Sequence, residues 1–183
     1  MIRLTLFGLL SSTFLHRIVE ENVTYEQLKK DLEASFGLTR SHAASELGKR
    51  GEKKAIPLLI KILDDPHMGV RSNAAFSLGE LGATEAIPHL AKLLKDPHER
   101  VRKSAAKALG MIKAKDAVPA LIEALGDTSY LVRKSVVRSL GQISDASAIG
   151  ALERAALDAN IIVASMAQQA IEALTSKAAA LKR

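Results

Sequence analysis

Ala86–Asp116 reads AIPHLAKLLKDPHERVRKSAAKALGMIKAKD. The stretch before it, Ala55–Glu85, reads AIPLLIKILDDPHMGVRSNAAFSLGELGATE. The stretch after it, Ala117–Ser147, reads AVPALIEALGDTSYLVRKSVVRSLGQISDAS. A fourth copy, AIGALERAALDANIIVASMAQQAIEALTSKA, begins at Ala148, so the starts lie 31 residues apart with no insertion. A fixed period of this length marks an array of small supersecondary units, none of which can bury its apolar face alone.

The same phase extends toward the N-terminus. Leu28, Leu59, Leu90, Leu121 and Leu152 share one column, and Leu47, Leu78, Leu109 and Leu140 share another. Arg40, Arg71, Arg102 and Arg133 form a third. Residues 24–54 therefore read as a degenerate first unit, followed by 55–85, 86–116, 117–147 and 148–178, with a tail at 179–183. The last unit has lost the column Arg (Ala164) and the column Gly (Glu172), as expected where one side faces water.

Each unit reads as two helices. The first carries Ile56, Leu59, Ile60 and Leu63 at helical spacing. Pro57, Pro88 and Pro119 fall in its first turn, where a missing N–H costs nothing. Glu85, Asp116 and Ser147 precede it at N-cap-like positions. Pro66 and Pro97 end it. The second helix is expected from about Val70 to Leu81, with Val70, Ala74, Leu78 and Leu81 turned inward. Gly79, Gly110 and Gly141 lie inside second helices, where a glycine costs about 1 kcal/mol against alanine. Their recurrence at one phase implies backbones too close for a Cβ.

The pattern AIPxL…LxDxxxxVRxxAAxALGxIG resembles the short HEAT-like repeats named after phycobilisome lyases, over residues 24–178. The resemblance implies an all-α fold: a right-handed α-solenoid of the armadillo/HEAT type, with about five 31-residue hairpins. Residues 1–23 are expected to cap one end and the last helix the other. The family includes scaffolds, chromophore lyases and metal-dependent hydroxylases, so fold alone does not choose a function.

The composition narrows the choice. Apolar residues make up 48% and charged residues 25%, which suits a globular chain, while aromatics are only 3% and Trp is absent. Small aliphatic side chains suit close helix packing and offer little for base stacking or an aromatic cofactor pocket. The lack of Cys excludes disulfides, thiolate metal sites and a cysteine nucleophile, and it fits a cytoplasmic location. Ile2–Leu10, IRLTLFGLL, faintly resembles a signal peptide, but no A-x-A-like site follows and the run is too short to cross a bilayer.

Candidate chemistry is sparse. The Asp column (Asp65, Asp96, Asp127, Asp158) and the Arg column recur as ladders, whereas catalysis needs one constellation. They are expected to satisfy turn backbones and bridge neighbouring units. His67 and His98 occupy one turn position in adjacent units, too far apart for one metal ion whose imidazole bonds are about 2 Å long. The hydroxylases in the resembling family carry His-Glu pairs directly after the repeat Arg. Here those positions read Ser41-His42, Ser72-Asn73, Lys103-Ser104 and Lys134-Ser135, so that activity is not expected. No phosphate loop and no Ser-His-Asp set is present, and no cofactor or metal is expected.

The surface remains. Second-helix positions outside the core form columns that bring Arg100, Lys103, Lys107, Lys134 and Arg138 together, beside apolar Phe76 and Met111. With a net charge of +6, an acidic protein partner is favoured on the concave face. The expected function is a non-catalytic scaffold, adaptor or assembly factor. Two alternatives stay open: an accessory subunit of a chromophore (bilin) lyase, and a nucleic-acid binder, against which the lack of aromatics argues. A membrane partner is not expected.

Overall fold

The computed structural model describes residues 23–180, with side-chain surroundings through Ser176. The expected capping segment 1–23 lies outside it apart from Val23, whose carbonyl accepts a hydrogen bond from the Arg50 guanidinium. Among the described residues ten α-helices pair into five hairpins. These are α1 (Tyr25–Asp31) with α2 (Gly37–Lys49), α3 (Ile56–Lys61) with α4 (Met68–Glu80), and α5 (Ile87–Leu93) with α6 (Glu99–Ile112). The last two are α7 (Val118–Ala124) with α8 (Tyr130–Ile143), and α9 (Ile149–Ala155) with α10 (Ile161–Ala180). The chain is an all-helical α-solenoid, as the period implied.

Burial follows the columns. Leu28, Leu59, Leu90, Leu121 and Leu152 are all fully buried, as are Leu47, Leu78, Leu109 and Leu140. Val70, Val101, Val132 and Val163 close the same core. Each buried side chain of this size contributes about 1.5–3 kcal/mol, so the stack is held by many equal increments along one axis. The column Ala44, Ala75, Ala106, Val137 is buried in the first four hairpins, and its fifth member, Gln168, is exposed. Glu172 stands there in place of the column glycine and accepts from Gln168 at 3.3 Å. The fifth hairpin thus carries polar residues at the positions where the earlier hairpins pack on their successors.

The two layers differ in closeness. The second helices α2, α4, α6, α8 and α10 pack directly on one another, each against the next. The short first helices fan apart, leaving shallow grooves such as the one lined by Leu94, Ala120, Glu123 and Asp127. The second helices therefore form the inner, concave layer.

Two local expectations need correction. Glu85, Asp116 and Ser147 do not cap the first helices. They sit in the middle of three-residue 3-10 turns, and Ala86, Ala117 and Ala148 occupy the N-cap positions with no side-chain bond. The 3-10 turn itself occupies the residues before each helix, so the side chain that caps acts earlier: Asp145 accepts from the Ser147 amide at 2.9 Å. The second helix also begins at Met68 rather than Val70, immediately after the His67 turn.

The second helices end in left-handed residues at one phase: Gly51, Gly82, Lys113 and Ser144, with φ of 68°, 65°, 56° and 60°. The chain then folds back so that the Ala83 and Ala114 amides reach the Leu78 and Leu109 carbonyls at 3.0 Å. Glycine fits this conformation in the first two hairpins; Lys113 and Ser144 adopt it despite their Cβ.

Candidate protein-interaction face

Two sets of cations run along the stack, and their surroundings separate them. Arg40, Arg71, Arg102 and Arg133 each reach into the next hairpin. Arg71 grips Asp96 with both arms, at 2.7 and 3.0 Å, and Arg102 grips Asp127 at 2.6 and 3.0 Å. Arg40 and Arg133 hold Asp65 and Asp158 in the same way. The remaining Arg71 nitrogen donates to the carbonyls of Asp65 and Pro66, tying its own turn to the next one. Each aspartate also accepts the amide two residues on, at 2.8 Å in all four turns.

Burial by itself would raise the Asp96 carboxyl, but the hydrogen bonds from Arg71 and the His98 amide and the Arg71 charge outweigh it and hold the carboxyl below the usual carboxylate range. The ladder closes at both ends: Ala34 stands where a preceding Arg would need Asp, and Ala164 where a following Asp would need Arg. This is a structural fastening between neighbouring hairpins.

The histidines join no site. His98 Nδ1 lies 3.2 Å from Arg71 and 3.4 Å from Asp96, at the edge of the ladder. The His67 ring covers Gly37, where a Cβ would come within 2.7 Å of it. His16 lies outside the described residues, and among those described no three His, Asp or Glu side chains cluster to hold a metal ion.

The second set of cations is unpaired. Lys103 and Lys107 project from α6, and Lys134 and Arg138 from α8, one helical turn apart on each. Among the described residues none of the four meets a carboxylate. Burial, together with the charges of Lys103, Arg138 and Lys134, holds the Lys107 ammonium below its ordinary value. Phe76 and Met111 are each 37% exposed. With Lys107, Arg138, Ser139 and Gln142 they line a pocket of about 200 Å³. Of the residues expected from the sequence, Phe76, Lys103, Lys107, Met111, Lys134 and Arg138 come together. Arg100 turns aside toward the Asn73 carbonyl oxygen of the preceding hairpin, at 3.5 Å.

Glycine clearances shape this pocket. A Cβ on Gly79 would lie 2.7 Å from Ala108 Cα and would overlap the Met111 methyl. A Cβ on Gly110 would lie 2.5 Å from Gln142 Oε1 and from Ser139 Oγ. Met111 and Gln142 thus lie across the preceding helix at its glycine notch. Gly141 is different: its Cβ would meet only Ala170, at an ordinary 3.5 Å, because a small residue faces it. Sequence reasoning overlooked Gln142 and Ser139 as lining residues. The repeat phase could have found Gln142, since it shares the Met111 column.

A family model described as HEAT repeats matches residues 25–109 and again 90–174. The chain belongs to the HEAT-repeat family. Among solved structures it is similar to the complex of CpcE and CpcF of phycocyanin lyase from Nostoc sp. PCC7120. There the identity is 32% and the TM-score 0.76, over 84% of this chain and 65% of that one. The HEAT-repeat chain therefore spans about two-thirds of its length. A designed armadillo repeat protein in complex with the peptide (KR)4 matches at 24% identity and TM-score 0.65, over 88% of this chain and 86% of that one, a likeness of fold. No curated protein matches the sequence. Among the described residues no helix is long and apolar enough to cross a membrane.

Proposed function

We propose that this HEAT-repeat protein is a non-catalytic scaffold or assembly factor that docks an acidic protein partner on its second-helix face. The observation that carries the reading is the unpaired set Lys103, Lys107, Lys134 and Arg138 beside the Phe76–Met111 pocket. Like charges one turn apart on a helix are mildly destabilising, and an oppositely charged ligand would relieve that repulsion. The test is affinity capture from native lysate, followed by binding measurements with the captured protein and the variant K103E/K107E/K134E/R138E. Loss of binding in the variant, and weakening of wild-type binding as salt rises, are expected. Unchanged affinity and salt dependence in the variant would remove the site assignment, and recovery of nucleic acid alone would replace the partner class.

A second reading, an accessory subunit of a chromophore lyase, is favoured by the 32% identity to the phycocyanin lyase complex. Co-expression with the pigment apoprotein, its chromophore and a second lyase subunit tests it. Covalent chromophore attachment that depends on this chain would support it, and attachment that proceeds equally without the chain would remove it.

A further inference from the structure

The second-helix face has a direction. Contacts between successive second helices recur at nearly constant offsets: Ser77 to Ala44, Ser139 to Ala106, Ser72 to Ser104. The helices therefore run parallel and in register. Positions on this face then form straight rows one turn apart: Phe76 and Glu80 on α4, beyond the buried Ser72; the half-exposed Lys103 and Lys107 and then Met111 on α6; Lys134, Arg138 and Gln142 on α8. Reading each row toward the helix C-terminus, the four cations come first. Met111 and Gln142 come one turn later, level with the acidic Glu80, while Phe76 is level with Lys107 and Arg138. Along α6 and α8 positive charge thus precedes Met111 and Gln142, and Phe76 flanks the Lys107–Arg138 level.

Spacing limits what fits. Side chains one helical turn apart sit about 5–6 Å from one another. In an extended chain, residues two apart share a face about 6.6 Å apart. A ligand helix would need several apolar anchors along one stripe. The Phe76–Met111 pocket on this face is large enough for a single side chain, and those two are the large apolar residues exposed at it.

We propose, resting on the docking reading above, that the partner contributes a short extended segment of ordered composition. Two carboxylates two residues apart meet the Lys103–Lys107 and Lys134–Arg138 rows, and an apolar side chain flanking that pair enters the Phe76–Met111–Gln142 pocket. The half-buried Lys107 stands where the two kinds of contact meet, and its neighbours' charges leave it in want of a counter-ion. Glu80 repels a third acid at the apolar end, so a uniformly acidic run fits less well than the ordered one.

The experiment is a titration of the full chain with twelve-residue peptides, followed by amide chemical shifts, which register weak binding. One peptide carries Glu-Gly-Glu-Gly-Leu at its centre, a second carries the isomer Glu-Gly-Leu-Gly-Glu, and a third replaces Glu by Lys. The ordered peptide is expected to bind about tenfold more tightly than its isomer, with shifts at Phe76, Lys107, Met111 and Gln142, and the Lys peptide not to bind. M111Q should shrink the tenfold preference to less than twofold, whereas K103Q/K134Q should weaken both acidic peptides alike. Equal affinity of the two isomers overturns the ordered motif and leaves the acidic-partner reading standing. No binding by either acidic peptide overturns both. Tighter binding of a single-stranded oligonucleotide at the same amides overturns the peptide as the ligand.

Discussion

The arginine ladder and the lysine–arginine set on α6 and α8 use the same kind of charge in opposite ways. In the ladder each guanidinium is largely buried, held by both oxygens of an aspartate in the next hairpin and by turn carbonyls. On the second-helix face, one residue along from Arg102 and Arg133, Lys103 and Lys134 find no carboxylate. A one-position step around the helix moves a cation from the seam between hairpins to the half-exposed second-helix face. The lesson is that charge in a repeat protein reports function only after the periodic fastenings have been set aside.

The largest test of this contrast is acid. All four ladder aspartates are held below the usual carboxylate range. A carboxyl with a lowered folded-state pKa contributes stability above its unfolded value of about 4 and loses it as the pH falls further. The melting temperature should therefore hold from neutrality to about pH 5 and drop steeply below about pH 4, as all four fastenings are protonated. A melting temperature unchanged at pH 3 would mean that the ladder contributes little.

Single fastenings come next. Arg71→Ala leaves Asp96 buried and uncompensated, which should cost about 3–5 kcal/mol in urea unfolding. Lys103→Ala, its half-exposed and unpaired counterpart in the next hairpin, should stay within about 0.5 kcal/mol. Similar losses at both positions would dissolve the distinction between the two sets.

The glycine notches sharpen the contrast further. Gly79→Ala should destabilise by about 1–3 kcal/mol, because the new methyl meets the Ala108 backbone at 2.7 Å. Gly141→Ala, with ordinary clearance, should instead stabilise by about 0.5–1 kcal/mol through helix propensity. Thermal melts of the pair read the difference in sign.

The smallest effect concerns Lys107. Removing its charge in Lys107→Gln relieves repulsion from Lys103 one turn away, so the free protein should gain a few tenths of a kcal/mol. The same change should weaken partner binding. A stability gain without loss of affinity would show that the cations only solvate the face.

Much of this was legible in the sequence. The leucine columns found the core, and the Arg and Asp columns found the ladder, because each hairpin touches only its neighbours and so a period in sequence becomes a period in space. The joining of Phe76, Lys103, Lys107, Met111, Lys134 and Arg138 was legible for the same reason. The Arg100 contact was not legible: a long side chain near a helix start is free to turn toward the preceding hairpin, and it meets the Asn73 side chain there.

The 31-residue repeat by itself determined the helical hairpins, their order and the pairs that fasten them, since these depend on which residue types recur at one phase. Tertiary structure alone decided the clearances and the exceptions. Gly79 and Gly110 have no room for a methyl while Gly141 does, Lys113 and Ser144 sit in left-handed conformations, and Met111 and Gln142 fold over glycine notches to make a pocket. Those outcomes turn on gaps of about an ångström set by the side chain that happens to face each position, and the periodic pattern carries no record of such distances.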